Sequence, residues 1–374
     1  MTETALVVGV TGIAGAAVAT RLVERGWAVT GVSRRSECGI AGVRSVRADL
    51  EDAAALSAAL ADTKPTHVFL TAWSRQPTEA ENIDVNAGIV RNVLAAATAG
   101  GAVRHVALMT GLKHYLGPFE AYAAGVTPDT PFHEDEARLD VPNFYYAQED
   151  ELFAAAERHG FTWSVHRAHT VIGHAVGNAM NMGMTLAVYA AVCRETGRDF
   201  RFPGSEVQWN GVTDMTDAGL LADQMVWAAT DENGRDEAFN IANGDVFRWR
   251  WMWPRLAKLL GVTPAGFDGK PAPLEEQMAD AAGVWRRIAE RHGLREADLT
   301  RVASWWHTDS DLGRPIECLT DMSKSRKAGF TGYTSTLDSF ARLFETLRAE
   351  RIIPPATPES STVESSTAES NAAE

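Results

Sequence analysis

Cysteine is scarce. The 374-residue chain holds three, Cys38, Cys193 and Cys318, too few and too scattered for a disulfide framework or a zinc site. A reducing, cytoplasmic setting without a metal centre is the expectation that follows. Basic charge is also short: 35 Lys and Arg stand against 49 Asp and Glu, for a net charge of −14. Phosphate neutralisation needs a basic surface, so nucleic acid is excluded as a partner. No apolar run reaches the roughly 20 residues of a membrane span, so a membrane partner is not expected either. The opening "MTETALVVGV" lacks the basic segment of a signal peptide, and its apolar run reads as a strand. Residues 354–374 carry four Glu, no Lys or Arg and almost nothing to bury, so a disordered acidic tail is expected there. Lysine is nearly missing from the middle of the chain: between Thr66 and Ala257 there is only Lys113.

What is present is an alternation of short β-rich runs with Ala-rich helical stretches. "ALVVGV" reads as a strand and "GIAGAAVATRLVERG" as a helix closed by Gly26. "WAVTGVS", "VRSVRADL" and "THVFLTAW" continue the strands, with "DAAALSAALAD" between the last two. A long helix around Asn82–Ala99, the strand "VRHVALMTG", a helix from about Asn143 to His159 and the strand "TWSVHRAH" follow. The pattern predicts an α/β fold, a Rossmann-type doubly wound parallel sheet. After His174 the rhythm changes. "NAMNMGMTLAVYAAVCRETG" reads as a helix, "VTDMTDAGLLADQMVWAAT" as another capped by Thr213 or Thr216, and "EAFNIANGD" as a strand and turn. The rest is helical and rich in tryptophan. Three segments are therefore expected: a nucleotide-binding core at 1–174, a smaller, mainly helical, substrate-binding lobe at 175–353 interleaved with it, and the tail.

Gly9, Gly12 and Gly15 form "GVTGIAG" between the first strand and the first helix. That context suits a pyrophosphate: a tight turn, close backbone approach, and amide N–H groups at a helix N-terminus facing the anion. A site for a bare ribose wants a carboxylate about 20 residues further on. This chain offers Ser33, Arg34 and Arg35 instead, and two guanidinium groups suit a 2′-phosphate. The expected cofactor is NADP(H). Asp49 and Leu50, after the third strand, are placed to meet its adenine.

The stretch "PNFYYAQED", Pro142–Asp150, holds a tyrosine pair. A catalytic tyrosine needs a nearby cation to lower its pKa and hold it in place. Usual short-chain dehydrogenases supply a lysine one helical turn later. Here that turn carries Glu149 and Asp150. Lys113, two residues past Gly111 at the expected C-terminal end of a sheet strand, is the candidate. The ordinary alternative is a solvated surface lysine.

Together "TGLKHYLGPFE", "PNFYYAQED", "WSVHR", "NGDVF" and "WW" resemble the progesterone 5β-reductase/iridoid synthase-like family, atypical short-chain dehydrogenases that reduce activated C=C bonds with NADPH. The resemblance covers roughly residues 4 to 353. It implies Lys113 and Tyr145 as the catalytic pair. It also implies cofactor contacts from Thr11, Gly12 and Ile13 in the glycine turn, and from Arg34, Arg35, Asp49 and Leu50 beyond it. Further contacts fall on Ala72, Trp73, Met109 and Tyr145, then on Val171, Asn178, Ala179 and Met180. Trp73 and Phe119 are the implied walls of the substrate pocket. Phe144, Trp305 and Trp306 are weaker candidates that core packing would equally explain, and His114 is either a proton relay or structural. Ala168 stands where the family often has Pro, and Met109 stands where plant members carry a polar residue. A small hydrophobic unsaturated carbonyl compound is the implied substrate, with a homodimer an open alternative for quaternary structure. A carbonyl reductase, a sugar-nucleotide epimerase or dehydratase, and a non-catalytic NADP sensor remain the competing readings.

Overall fold

The computed structural model describes residues 3–118, 129–178 and 180–356. Among them, seven parallel strands form one sheet. Strands β1 (Thr4–Val8), β2 (Ala28–Ser33), β3 (Val43–Arg47), β4 (His67–Leu70), β5 (His105–Gly111) and β6 (Thr162–Ala168) are joined by a seventh, Glu237–Ile241. The spatial order is seventh, β6, β5, β4, β1, β2, β3. The winding reverses between β1 and β4, and doubly wound sheets bind ligands in the crevice at such a reversal.

These strands are apolar on both faces because both faces are covered. Leu6, Val8, Val68, Leu70, Val106 and Val165 point to one side, where Val90, Val93 and Leu152 meet them from helices Glu79–Thr98 and Phe144–His159. Ala5, Val7, Phe69 and Ala107 point to the other, against helices Ile13–Glu24 and Ala218–Thr230. The third large core lies outside the sheet, around Trp253, Trp285, Phe200 and Phe344. Trp249 is buried there too, whereas Trp251 is exposed.

Helix starts depart from the sequence reading wherever a polar side chain decided them. The long helix begins at Glu79, three residues early, because Thr78 and Glu81 form a reciprocal capping box. Helix Met182–Thr196 starts late: Asn181 Oδ1 accepts from Met184 N at 3.0 Å, which leaves residues 178 and 180 outside the helix. Neither Thr213 nor Thr216 caps helix Ala218–Thr230. Asp217 does, accepting from Gly219 N at 2.8 Å and Leu220 N at 3.2 Å. Thr216 is held as a strand residue beside Val171, and its hydroxyl donates to the Ile241 carbonyl at 2.7 Å.

Under the sheet runs a buried polar chain. His105 Nε2 lies 3.0 Å from Ser164 Oγ, which lies 2.9 Å from His166 Nε2; His166 Nδ1 reaches Gln224 Oε1 at 2.8 Å. Burial pushes His105 down to about 3 and His166 down to about 4. Unfolding restores rings that protonate near 6.5, so the unfolded chain binds more protons between those values. Stability is therefore expected to be full above about pH 6.5 and to fall as pH drops toward 4, by roughly 3 kcal/mol for His166 alone. Urea midpoints measured from pH 7 down to pH 4.5 test this; a flat profile would contradict it.

Candidate active site

The end of β1 and the following turn are shaped by close backbone approach. Gly9 sits at φ 86°, and a Cβ there would lie 2.9 Å from the Ala72 Cβ at the end of β4. A Cβ on Gly15 would lie 2.2 Å from the Gly9 carbonyl oxygen. Gly12 then opens helix Ile13–Glu24 with no side-chain cap and no acid in the first turn. The N–H groups of that turn remain turned to whatever anion docks there. Gly9, Thr11, Gly12 and Ile13 line a cavity of about 710 Å³, whereas Gly15 does not: it is small so that the turn can close.

Ser33, Arg34, Arg35, Asp49 and Leu50 line the same cavity beyond the ends of β2 and β3. Arg35 is braced, with Nη2 donating to the Val176 carbonyl at 2.9 Å and the backbone N–H to Ser33 Oγ at 3.2 Å. Arg34 is exposed. Ala72, Trp73, Met109, Val171, Asn178 and Met180 line the cavity further along. Phe119 and Ala179 lie outside the described residues.

Among the described residues, one of the three tyrosines at positions 115, 145 and 146 lines this space, Tyr145. Tyr145 begins the helix Phe144–His159, its N–H donating to Asn143 Oδ1 at 3.0 Å. The same Asn143 donates from Nδ2 to the Lys113 carbonyl at 2.7 Å. A single amide therefore ties the start of the tyrosine helix to Lys113, two residues after β5. Lys113 is buried, with Nζ 5.0 Å from the centre of the Phe144 ring. Gly111 makes room for the tyrosine: a Cβ there would lie 3.1 Å from Tyr145 Oη. Phe144 stacks on Trp73 at 5.3 Å, and both line the cavity. Burial, and then the Glu79 carboxylate, hold the Tyr145 hydroxyl well above its usual pKa, protonated and ready to donate.

The other tyrosines are occupied elsewhere. Tyr146, about 100° further round the helix, donates to the His114 carbonyl and accepts from Leu139 N at 3.0 Å. Tyr115 donates to Asn240 Oδ1 at 2.7 Å and accepts from Arg167 at 3.1 Å; burial pushes it up to about 12. Glu149 and Asp150, where the usual lysine would stand, bind Arg138 at 2.8 and 2.7 Å, away from the cavity. His114 is buried outside the cavity lining, with burial pushing it down to about 3.

Several residues with a part in this geometry were not singled out from the sequence: Asn143, Arg75, His307, Asp311 and Arg314. Trp305 and Trp306 are only half-buried, and Arg75 lies 3.7 Å over the Trp306 ring. Among the described residues no helix is long and apolar enough to cross a membrane, and no cluster of His, Cys, Asp or Glu could hold a metal.

A doubly wound sheet with a glycine turn at its reversal point is the frame of a Rossmann-type fold, and similarity to known enzymes makes the chain an oxidoreductase of the short-chain dehydrogenase/reductase superfamily. Within it, the chain belongs to the PRISE family: the PRISE-like Rossmann-fold domain matches residues 38–354. It is 40% identical over 364 residues to an (S)-8-oxocitronellyl enol synthase of Camptotheca acuminata, covering 94% of this chain and 93% of that protein. It is 38% identical over 365 residues to a 3-oxo-Delta(4,5)-steroid 5-beta-reductase of Arabidopsis thaliana, with 94% and 93% covered. The UDP-glucose 4-epimerase of Thermotoga maritima shares the fold at 17% identity, with a TM-score of 0.65 over 93% of this chain and 99% of that one.

Proposed function

We propose that the protein is an NADPH-dependent reductase of the activated C=C bond of α,β-unsaturated carbonyl compounds. The observation that carries this reading is the placement of Tyr145 and Lys113, joined through Asn143, in one cavity with the glycine turn. The activity for which the Arabidopsis thaliana relative is named, 5-beta-reduction of a 3-oxo-Delta(4,5)-steroid, supports it.

The residues fit a dinucleotide. The uncapped helix start at Gly12 suits its pyrophosphate, and Arg34 and Arg35 suit a 2′-phosphate. When bound, the reduced nicotinamide supplies a hydride. Tyr145 donates a hydrogen bond to the substrate carbonyl oxygen and stabilises the negative charge that gathers there. Lys113 supplies a positive charge to the same corner. Trp73 and Phe144 form an apolar wall that suits a hydrophobic substrate and excludes water. Solvent then protonates the α-carbon.

NADPH is expected to bind far more tightly than NADH. Each lost charge-assisted contact costs roughly 1.5–3 kcal/mol, tenfold or more in affinity. Equal Kd values by titration calorimetry would sink the assignment of Arg34 and Arg35. The reaction itself is tested by product analysis on 2-cyclohexen-1-one: the saturated ketone is expected. An allylic alcohol would mark a carbonyl reductase, and binding of NADPH without turnover of enones or aldehydes would favour a sensor.

A further inference from the structure

The first N–H groups of a helix have no partner within it. In helix Phe144–His159 those of Tyr145 and Tyr146 donate to Asn143, to Oδ1 at 3.0 Å and to the carbonyl at 3.1 Å. The N–H of Phe144 is satisfied from elsewhere. It donates to Glu79 Oε1 at 2.8 Å, across 65 residues of chain. Glu79 opens a different helix, Glu79–Thr98, and stands in that helix's own first turn. One carboxylate therefore serves the positive ends of two helices, where negative charge is stabilising.

Its second oxygen is also engaged: Oε2 accepts from Asn82 Nδ2 at 3.2 Å. Asn82 is buried, and its Oδ1 accepts from Gln76 N at 2.7 Å. One turn further, buried Asn86 accepts from Ser74 N and donates to the Ser74 carbonyl, both at 2.8 Å. Glu79, Asn82 and Asn86 share one face of their helix. Asn82 and Asn86 fasten the loop after β4, which carries Trp73, and Glu79 joins that assembly to the tyrosine helix.

What Glu79 grips is the middle of the site. Phe144 is fully buried, with its ring stacked on Trp73 at 5.3 Å, 4.3 Å from the Tyr145 ring and 5.0 Å from Lys113 Nζ. Fixing the Phe144 N–H fixes the point from which Tyr145, one residue on, projects into the cavity. After burial, the Glu79 carboxylate is the second influence that keeps the Tyr145 hydroxyl protonated. Glu79 itself is not part of the cavity lining.

We propose that Glu79 is a positioning residue: by holding the first turn of the tyrosine helix against the loop after β4, it fixes the Tyr145 hydroxyl where the substrate oxygen binds, and it acts on turnover through Tyr145. This rests on the reductase reading above and extends it to a residue that touches neither substrate nor cofactor.

The test is a double-substitution cycle on 2-cyclohexen-1-one. Glu79→Ala should lower kcat roughly ten- to hundredfold, since a small misplacement of a catalytic group is costly in turnover. NADPH Kd should stay within about twofold. Glu79→Gln, which keeps an acceptor for the Phe144 N–H, should recover most of the loss. In the Tyr145→Phe background, Glu79→Ala should lower kcat by less than about threefold, because the group it positions is gone. A cap that only stabilised the fold would give the same factor in both backgrounds, or lower the melting temperature alone. Either result overturns the proposal, as does failure of Glu79→Gln to recover turnover. Should Glu79→Ala not fold, Glu79→Asp, one methylene short of the Phe144 N–H, takes its place in the cycle with the same expectations.

NMR of isotope-labelled tyrosine rings in the NADP⁺-loaded protein reads the placement without turnover. The Tyr145 signal, assigned by its loss in Tyr145→Phe, should shift in Glu79→Ala and return in Glu79→Gln, while that of Tyr115 stays in place. If wild type reduces neither enones nor aldehydes, the reductase reading falls and this signal alone decides Glu79. A displaced Tyr145 signal would then uphold its part in placing the tyrosine, and an unmoved one would overturn it.

Discussion

Tyr145→Phe is expected to lower enone turnover by roughly 10²–10³-fold, the range seen when one oxyanion donor is removed. The reason is local. The substitution deletes the hydroxyl over Gly111 and keeps the ring, 4.3 Å from that of Phe144. Nothing in the glycine turn changes, so NADPH affinity should stay within about twofold; the loss falls on the transition state. Lys113→Met should act through the same unit, so the double variant should lose much less than the sum of the singles. Tyr146→Phe and Tyr115→Phe should keep turnover within about tenfold, because those hydroxyls serve His114, Leu139, Asn240 and Arg167 instead. Rates of NADPH consumption on 2-cyclohexen-1-one, with Kd values from titration, provide the check. Near-normal turnover in Tyr145→Phe together with loss in Tyr115→Phe would mean that the wrong tyrosine has been assigned.

Gly15→Ala should damage nucleotide binding from a position that does not touch the cavity. Its new methyl would sit 2.2 Å from the Gly9 carbonyl oxygen and 2.7 Å from Thr71 Oγ1. The first of these is backbone and cannot rotate away, so helix Ile13–Glu24 must shift from β1. Overpacking of this kind costs about 1–3 kcal/mol. Because the shift separates the helix start from Gly9, much of that cost should appear in binding, as roughly a ten- to hundredfold weaker NADPH Kd. Melting temperature should fall as well. Gly88→Ala is the control, since a Cβ there meets nothing within 4 Å. Unchanged affinity in Gly15→Ala would show that the turn yields more easily than this geometry allows.

Much of this was legible in the chain because it is written locally. A strand buried on both faces is a continuous apolar run, and "ALVVGV" or "THVFLTAW" can hardly be anything else. The glycine turn was legible because its φ and its close contacts admit few residues. The tyrosine pair stood out because an expected lysine was missing beside it.

Caps were less legible. Thr213, Thr216 and Asp217 are all good N-cap residues, and only the pairing of Thr216 with Val171 decides that Asp217 takes the role.

By itself, the sequence determined the doubly wound sheet, its glycine turn, the pair of arginines after β2, and the fact that Lys113 is the one lysine available between Thr66 and Ala257. Those follow from period, residue type and count, which need no partner in space. The resemblance already pointed to Tyr145, and the tertiary structure supplied the geometry: Tyr145 lines the cavity, whereas Tyr146 and Tyr115 do not. It also decided that Asn143 ties the tyrosine helix to Lys113, and that His307 from the far end of the chain closes the same space. Residues 113 and 143, or 75 and 306, meet because β4 and β5 end side by side beneath a later helix. Such contacts are set by packing between segments, and no local pattern in either segment encodes them.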